Sequence, residues 1–470
     1  MKKETIKSVI LTFLVITSVI LTVNNWFSEK LWPYGYNFFS NLANYFSIGD
    51  EHKSFYLSKE NVSSPAKIVV NNIENRSVYT HTSEDFDEMT SHIKTVLKKG
   101  LESKSASESS PEAWKDALRH KSIYFSYPVP YGLKTFSAIL DSPINAVADG
   151  RVQEFILISP ENVTGSAHIL VKDADTEKYT DITVTEESGK TDALIRKYAL
   201  SSVGEYPYSF EINFDNSAKK QKLTIDSKVI LPITTAQVST VREINYFENI
   251  SDDRDLYTRF LRSFGFNTSN IRKNVNADKS IVFAENYGTI KMYPDGLLEF
   301  KAISEAKGIE IGKSLEFYDT FIDCIEFVNN VWDTACSDEN MNINLSGTTA
   351  GSSDNSFTLT IDYYADGMEV VSLLEATDSH PAMKHAIEIE VVNSRIVSYR
   401  QIIKGYRSNK DKHQCTGVIE ALDTLMANES IKSDKITDMY IAYYPDGNGN
   451  CSPYWVAKTD KNEIRIIIDK

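Results

Sequence analysis

The residues of this sequence best suited to chemistry are its eight histidines, its four cysteines and a few serine-lysine pairs. None falls in a G-x-S-x-G elbow, an H-E-x-x-H helix or a glycine-rich phosphate loop. Ser64 to Lys67 and Ser91 to Lys94 match the S-x-x-K pattern of penicillin-binding enzymes, but the K-T-G element of those enzymes is absent. We therefore predict no catalytic residues and expect a protein that binds rather than an enzyme.

Histidines and paired acidic residues are the next candidates, as metal ligands. His380 and His385 are separated by Pro381 and its neighbours, so they do not lie on one helical face. The acidic runs at 173–175 and 251–253 are more typical of solvated turns than of calcium loops. We predict no metal site and no cofactor.

The four cysteines, Cys324, Cys336, Cys415 and Cys451, all lie in the last third of the chain. In an oxidising compartment they could form disulfides, and four cysteines allow three full connectivities, among which the sequence does not choose. The alternative is that they are small buried apolar residues. The absence of a C-x-x-C pair argues against structural zinc.

The net charge of −15 at pH 7 bears on the choice of partners. A chain this acidic is repelled by phosphate backbones, so we do not expect a nucleic-acid partner. The hydrophobic fraction of 41% is that of an ordinary globular protein, and the length allows several domains.

Hydrophobic periodicity predicts helices that alternate with short strands, and hence an α+β fold with mainly antiparallel sheets. One of these strands is expected at 209–214, and the polar segment 104–110 is expected to be a loop. We expect helices at 84–101 with Ser83 as its cap, from 111 with Ser110 as its cap, and at 192–200, 255–264, 317–332 and 418–425. Three Tyr-x-Asp-Gly segments, at 293–296, 364–367 and 444–447, predict tight hairpin turns. Their recurrence indicates either a duplicated module or convergent turn chemistry.

A long uncharged segment, 8–28, follows a lysine-rich start and lies between Lys7 and Glu29. As a helix it would span about 30 Å, the thickness of the hydrocarbon part of a bilayer. The lysines on its short side predict a cytoplasmic N-terminus and a single-pass cell-membrane protein with an extracytoplasmic bulk. A cleaved secretory signal would need small residues at the cut, and 23–27 (VNNWF) does not supply them.

The chain is thereby divided into six parts. They are a cytoplasmic tail (1–7), a transmembrane anchor (8–28), an aromatic juxtamembrane segment (29–60), an N-terminal α+β domain (61–236), a central α+β domain (237–305) and a C-terminal α+β domain (306–470).

One face of the predicted anchor carries small and hydroxyl side chains, while Thr17 lies on the opposite face. Such residues let transmembrane helices approach closely, so this stripe is our candidate for contact with partner helices. The alternative is that each hydroxyl bonds to a carbonyl of its own helix. The stripe comprises Ser8, Thr12, Val15, Val19, Thr22 and Trp26.

Several segments resemble the YycH family in the same order along the chain. They are the opening MKKETIKSVILTFLVITSVILT, the helix end at 260–264 with the strands at 287–290 and 297–300, the strand-turn-strand at 387–399, and the closing strands at 438–441 and 453–456. The cysteines and the aromatic stretch 32–46 are departures from the family pattern.

The resemblance implies a membrane-anchored accessory regulator of the YycG (WalK) sensor histidine kinase, in the YycFG two-component system of Gram-positive bacteria. It further implies that the last two domains are related to each other and to a companion protein, YycI. The anchor helix would contact those of YycI and the kinase and influence cell-wall homeostasis. The alternative function is an extracytoplasmic binding module or chaperone for cell-envelope components, without a kinase partner.

Overall fold

The computed structural model describes residues 62–468, except for 81–82, 84, 104, 146–149, 160–165, 185–188, 213–223, 234–236, 270–271, 315, 336–340, 351–354, 373, 428–434 and 461–465. The predicted tail, the anchor at 8–28 and the aromatic segment at 29–60 thus lie outside the described residues. Within the described part, no helix combines the length and apolar character needed to cross a bilayer.

Seven α-helices occur in the described part of the chain. They are α1 (Phe86–Glu102), α2 (Pro111–Arg119), α3 (Leu133–Leu140), α4 (Lys190–Tyr198), α5 (Arg254–Ser263), α6 (Phe317–Ala335) and α7 (Val418–Ala427).

The N-terminal sheet is antiparallel throughout and has seven described strands in the order β2-β1-β4-β5-β6-β7-β3. The strands are β1 (Lys67–Asn72), β2 (Asn75–Tyr79), β3 (Ala106–Ser109), β4 (Ser122–Gly132), β5 (Arg151–Ile158), β6 (Ala167–Asp173) and β7 (Tyr179–Val184).

Alternation along these strands gives the N-terminal sheet two buried faces. One face packs on α1, which contributes Ile93, Leu97 and Leu101 at helical spacing. The other face carries Tyr124 and Ile156 and is covered by α2 through Trp114. Helices on both faces explain why β5 ends in a continuous apolar run at 155–158.

The C-terminal sheet has sixteen described strands. They are β8 (Thr224–Ile225), β9 (Gln237–Asn245), β10 (Asn274–Val275), β11 (Ile281–Ala284), β12 (Gly288–Met292), β13 (Leu297–Ala302), β14 (Ile309–Glu310), β15 (Met341–Ala350), β16 (Ser356–Ala365), β17 (Met368–Val370), β18 (Ile387–Val392), β19 (Arg395–Ile402), β20 (Lys404–Gln414), β21 (Lys435–Pro445), β22 (Asn450–Thr459) and β23 (Ile466–Ile468).

The C-terminal sheet combines strands from the predicted central and C-terminal domains. Its main path is β10-β11-β12-β13-β19-β18-β16-β17-β21-β22-β9-β20, so β13 pairs with β19 and β9 pairs with β20. Beneath it, the ring of Phe264 contacts those of Phe300 and Tyr399, with centroids 5.6 and 5.2 Å apart. These contacts join the residue after α5 to β13 and β19 in one apolar core.

The mixed α+β architecture with antiparallel sheets is confirmed, as are the six predicted helices, while α3 was not predicted. The three Tyr-x-Asp-Gly turns are confirmed, with Gly296, Gly367 and Gly447 at positive φ between antiparallel neighbours. The cap Ser110 is confirmed, because its hydroxyl accepts the Ala113 N–H at 3.1 Å. The cap at Ser83 was wrong, since α1 begins later, with Asp85 at the N-cap position.

Two segments of the N-terminal unit differ from the sequence prediction. The strand expected at 209–214 begins instead as a 3₁₀ turn, Ser209–Glu211, because the Glu211 carboxylate accepts the N–H of Tyr208 at 2.7 Å and closes the turn. The polar segment 104–110, expected as a loop, contains β3, which pairs with β7 at the sheet edge. An edge strand needs only its backbone to pair, so it tolerates a polar sequence.

Candidate functional site

A row of polar side chains crosses one face of the N-terminal sheet and forms the candidate site. Lys67 on β1 lies opposite Ser126 on β4, which lies opposite Glu154 on β5, and that residue lies opposite Lys172 on β6. Directly opposed residues in antiparallel strands point to the same face. The row therefore lies beside the apolar row that α2 covers, and it ends the apolar part of this face.

A segment that links the two sheets covers this row. In it, β8 runs parallel to β21, with Thr224 opposite Lys435. The N–H of Asp226 then donates to the carbonyl of Ile436 at 2.8 Å, and Ser209 donates its hydroxyl to the Asp226 carbonyl at 2.8 Å. Both backbone groups of Asp226 are thus engaged, which fixes its side chain between the sheets.

Ion pairs connect the row to this cover. Lys67 Nζ lies 3.3 Å from Asp438 Oδ1 on β21. Asp226 Oδ2 lies 2.8 Å from Lys435 Nζ and 3.8 Å from Lys172 Nζ.

Two further acidic residues complete the interface. Lys228 pairs with Glu154, whose side chain is only 9% exposed. Glu177, in the turn between β6 and β7, lies 3.3 Å from Lys172 and 3.7 Å from Lys435. We call this group of four lysines and four acidic residues the charged interface. Its members are Lys67, Lys172, Lys228, Lys435, Glu154, Glu177, Asp226 and Asp438.

The pKa shifts in the charged interface favour the charged forms. Burial alone would raise the pKa of Asp226, but the charge of Lys228, the hydrogen bond from Lys435 and the charge of Lys172 outweigh it and lower that pKa. Burial likewise opposes ionisation of Asp438, and Lys67 and its neighbours lower the pKa of that carboxyl.

The pKa values of Lys228 and Lys435 are raised, which also favours the charged form. Burial alone would lower the pKa of Lys228, but Glu154 and Asp226 raise it above its ordinary range. Beside the interface, burial and the charge of Asp226 raise the pKa of Tyr179 to about 12. The shifts in the pKa values of Asp226, Asp438 and Lys228 thus all favour the charged forms of these three groups.

An interface of this kind fixes the orientation of the two sheets relative to each other. A buried pair is costly to break because the remaining charge stays desolvated, at about 3–5 kcal/mol when one partner is removed. Glu154 Oε2 already lacks a hydrogen-bond partner among the described residues, so the site has little tolerance for rearrangement.

An apolar contact joins the same two units at a second place. The ring of Tyr131, at the end of β4, meets the ring of Phe321 on α6 edge-on, with centroids 6.3 Å apart. Strand β4 also lies against β15. The charged interface and this apolar contact thus both join the N-terminal unit to the C-terminal unit.

The closest approach to a catalytic arrangement is formed by Ser346, His385 and Asp362. The Ser346 hydroxyl and the Asp362 carboxylate both contact Nδ1 of His385, at 3.3 and 3.2 Å. A nucleophile relay needs the serine and the acid on opposite ring nitrogens, so this geometry does not activate Ser346. His385 and Asp362 are both buried and link neighbouring strands.

The other sequence candidates for chemistry occupy structural positions. His380 contacts Asp295 through Nε2 at 2.6 Å, whereas His385 contacts Asp362. Among the described residues, no group of three His, Cys, Asp or Glu side chains is arranged to hold a metal ion.

The acidic runs lie in turns and at a helix start. Asp173 Oδ1 accepts the N–H groups of Asp175 and Thr176 in a turn, and Asp253 accepts the N–H of Leu256 as the N-cap of α5.

The S-x-x-K lysine Lys67 belongs to the charged interface. The sequence also contains an S-D-N triplet at 353–355, of which only Asn355 lies within the described residues.

Three of the cysteines are buried free thiols, namely Cys324, Cys415 and Cys451. Burial raises the pKa of all three thiols, and that of Cys451 rises to about 12, so they are unreactive at neutral pH. Cys336 lies outside the described residues. The stripe at Ser8, Thr12, Val15, Val19, Thr22 and Trp26 lies outside them as well, so its predicted contact stays a prediction.

The sequence does contain one signal for the charged interface. Lys67 at the start of β1, Glu154 in the middle of β5 and Lys172 near the end of β6 are charged residues in otherwise largely buried strands, which indicates a polar contact on that face. The partners around 226 and 435 carry no such signal, because they are matched to the row only by the long-range packing of two sheets.

Fold and site together define a two-sheet α+β protein whose units are joined by charge pairs. Residues 4–192 match the family model of the YycH protein, N-terminal domain. The crystal structure of YycH from Bacillus subtilis matches with 12% identity and a TM-score of 0.54, covering 88% of this chain and 97% of that chain. Residues 4–192 thus correspond to a YycH N-terminal domain, and the chain shares the fold of the solved YycH structure.

The remaining comparisons add one solved structure of lower similarity and no curated protein. The crystal structure of an uncharacterized protein from Eubacterium rectale matches with 11% identity and a TM-score of 0.34, covering 52% of this chain and 88% of that chain. No curated protein matches the sequence.

Proposed function

We propose that this protein is a non-enzymatic, membrane-anchored regulator that modulates a YycG-type sensor histidine kinase, together with a YycI-like companion. The YycH N-terminal domain at residues 4–192 and the YycH fold carry the proposal, because the YycH family consists of regulatory accessory proteins and not of known enzymes. The uncharged segment 8–28 with its lysine-rich flank supports the anchor part of it.

The described structure is compatible with regulation by contact. Its serine, histidine and acidic candidates serve packing and turns, as the Ser346 arrangement illustrates. Its two sheets are joined by the charged interface and by the Tyr131–Phe321 contact, so a force applied to one unit reaches the other. A regulator of this kind acts by stabilising one state of its partner, with a coupling free energy of about 1–3 kcal/mol.

The test is kinase autophosphorylation in vesicles that contain the kinase and the companion protein, with and without this chain. We expect the full chain to change the rate by about five- to 150-fold, in either direction, the range that such a coupling free energy allows. Replacing residues 8–28 with a leucine-only helix of equal length should abolish the effect, while the extracytoplasmic part stays folded by circular dichroism.

A matched pair of variants separates the anchor stripe from simple hydrophobic anchoring. Thr12→Leu with Thr22→Leu removes two hydroxyls from the proposed contact face, and Thr17→Leu removes one from the opposite face. The first variant should weaken regulation and crosslinking to the partner helices, and the second should not.

Failure to recover a histidine kinase after crosslinking in membranes, with an unchanged autophosphorylation rate, would contradict the proposal. That outcome would favour an extracytoplasmic binding module or chaperone for cell-envelope components.

A further inference from the structure

Four exposed arginines lie on and beside α5, in a chain whose net charge is −15. We call them the arginine surface, and they are Arg254, Arg259, Arg262 and Arg272. Arginines elsewhere in the chain pair with carboxylates, as Arg151 does with Asp175 at 2.6 Å and Arg395 with Glu310 at 2.7 Å. Among the described residues, none of the four forms an ion pair or a side-chain hydrogen bond. Their guanidinium groups are thus available to a partner outside the chain.

The apolar spacing of α5 decides where its arginines point. Leu256, Phe260 and Leu261 are buried in the core of the C-terminal unit and define the inner face of the helix. At about 100° per residue, the three arginines of α5 fall within about 140° on the opposite side. Arg259 and Arg262 are three positions apart, which places their Cβ atoms about 5–6 Å apart. The outer face of α5 is therefore a compact group of guanidinium donors.

The contacts of Lys273 bring β10 to this helix. Lys273 Nζ donates to the carbonyl of Ser251, just before α5, at 2.8 Å. The same ammonium lies over the ring of Tyr257 in the first turn of α5, 5.6 Å from its centroid. Arg272, the preceding residue, is thereby placed at the same end of α5 as Arg254. The arginine surface thus extends from α5 to the start of β10.

Strand β10 has an open side. It is the last strand on the main path of the C-terminal sheet, and in the described part of the chain it pairs with β11 alone. The N–H of Asn276 donates to the carbonyl of Ser280 at 2.9 Å, so alternation turns the N–H and C=O of Val275 away from β11. The Val275 side chain is 55% exposed. An unpaired strand edge of this kind accepts a further strand.

The two features together specify the chemistry of the partner. The open edge of β10 selects an extended peptide segment, because only such a segment can continue the ladder. Guanidinium groups bind carboxylates through paired N–H donors, and arginine is enriched in protein interfaces whereas lysine is depleted. Alternate side chains of an extended segment are about 6–7 Å apart, close to the spacing of Arg259 and Arg262.

A membrane surface and a nucleic acid fit this place less well. A helix that lies in the membrane interface turns its apolar face to the lipid, but the apolar face of α5 is buried in the protein core. Asp255 lies among the arginines and would be repelled by a continuous anionic surface, whereas a segment with carboxylates at intervals can avoid it. The net charge of −15 repels a long polyphosphate chain.

We propose that the arginine surface and the open edge of β10 bind an extended acidic segment of a partner protein. The segment adds to β10 as a strand, and its carboxylates pair with the arginines of α5. This binding surface is separate from the predicted anchor, and its test does not depend on the regulatory role proposed above.

The test is calorimetric titration of the purified full chain in detergent with two peptides of about eight residues. One alternates glutamate with threonine, a residue that favours strands, and the other alternates glutamine with threonine. We expect the glutamate peptide to bind at least tenfold more tightly than the glutamine peptide. Its binding should weaken as the salt concentration rises, since the contact is between charges.

Paired arginine variants test the contribution of α5. Arg259→Gln with Arg262→Gln should weaken binding of the glutamate peptide about tenfold or more, through the loss of charge-assisted hydrogen bonds. Arg259→Lys with Arg262→Lys keeps the charge without the planar fork and should cause a smaller loss. The matched control is Arg119→Gln with Arg196→Gln, an equal change of charge at exposed positions on α2 and α4, which should leave binding unchanged.

A proline variant tests the strand addition. Val275→Pro removes the N–H on the open side of β10 and leaves the hydrogen bonds to β11 in place, so we expect a folded protein that binds the glutamate peptide at least tenfold more weakly. Val275→Thr keeps this N–H and should bind as the wild type does. Thermal unfolding checks that each variant is folded.

Four outcomes would overturn the proposal. They are no binding of the glutamate peptide by the folded wild-type chain, equal affinity for both peptides, equal losses in the α5 pair and its control pair, and unchanged binding by folded Val275→Pro. Displacement of the glutamate peptide by glycerol 3-phosphate at an equal concentration of charge would also overturn it, since the surface would then bind lipid headgroups.

Discussion

Lys67 Nζ lies 3.3 Å from Asp438 Oδ1, although the two residues are 371 positions apart in the chain. The contact joins the first described strand, β1, to β21, which is among the last. It belongs to the charged interface, so the N-terminal and C-terminal sheets keep one orientation through directional pairs as well as apolar packing. In a regulatory protein, such an interface would transmit a change in one unit to the other.

The Lys228–Glu154 pair is one of the buried pairs of this interface and gives the first prediction. Lys228→Met leaves Glu154 buried and without its lysine, so we expect the free energy of unfolding to fall by about 3–5 kcal/mol. Denaturant unfolding followed by circular dichroism measures the change.

Two variants serve as controls for this prediction. Adding Glu154→Leu to Lys228→Met removes the carboxylate that would otherwise stay buried without its lysine, and should restore most of the lost stability. Lys134→Met breaks an exposed pair with Glu316 and should cost less than about 1 kcal/mol. Similar losses from Lys228→Met and Lys134→Met would show that the charged interface does not hold the sheets.

The lowered pKa values of Asp226 and Asp438 predict how stability responds to acid. Because the folded pKa lies below the unfolded value of about 3.9, the stabilisation is complete above that value. It is lost as the pH falls through the lowered folded pKa. The unfolding midpoint should therefore drop steeply below about pH 4.

Asp226→Asn should flatten this part of the pH profile, because it removes one of the carboxyls whose pKa is lowered in the folded state. The raised pKa of Lys435 has the opposite sign. Its contribution is complete below the unfolded pKa of about 10.4 and is lost as the pH rises through the higher folded value. A profile of Asp226→Asn parallel to that of the wild type between pH 2 and 5 would contradict this account.

Local features of the fold could be predicted from the sequence, because neighbouring residues specify them. The turn at Tyr293–Gly296 follows from proline and glycine dihedral preferences, and α5 follows from the spacing of Leu256, Phe260 and Leu261. The cap Ser110 follows from the same local logic.

The pairing of distant strands could not be predicted in this way. β20 (KGYRSNKDKHQ) has little apolar alternation, and it is a strand because β9 supplies a partner about 170 positions earlier. The same holds for the charged interface. Asp226 meets Lys435 only because β8 aligns with β21.

Ile73, in the tight turn between β1 and β2, gives a prediction about backbone strain. It has a φ of 49° and is 61% exposed, and a β-branched residue in this left-handed region costs about 1–2 kcal/mol. Ile73→Asn should therefore raise the free energy of unfolding by about 1 kcal/mol, since asparagine tolerates this conformation. Ile303→Asn, at a similarly exposed site without a positive φ, is the control and should change stability by less than about 0.5 kcal/mol.

Gly100 shows how closely α1 approaches the N-terminal sheet. A Cβ placed on it would lie 2.6 Å from Ile169 Cδ1 and 2.8 Å from Val184 Cγ2. Helix propensity alone would favour alanine by about 1 kcal/mol, but overpacking of a buried contact costs about 1–3 kcal/mol. We expect Gly100→Ala to lower the unfolding midpoint.

The second-site variant Ile169→Val removes the methyl group that the new Cβ would meet. The double variant Gly100→Ala with Ile169→Val should therefore be more stable than Gly100→Ala alone, although Ile169→Val alone should cost about 0.5–1.5 kcal/mol. Additive losses in this double-mutant cycle would mean that α1 shifts away from β6 instead of pressing on it.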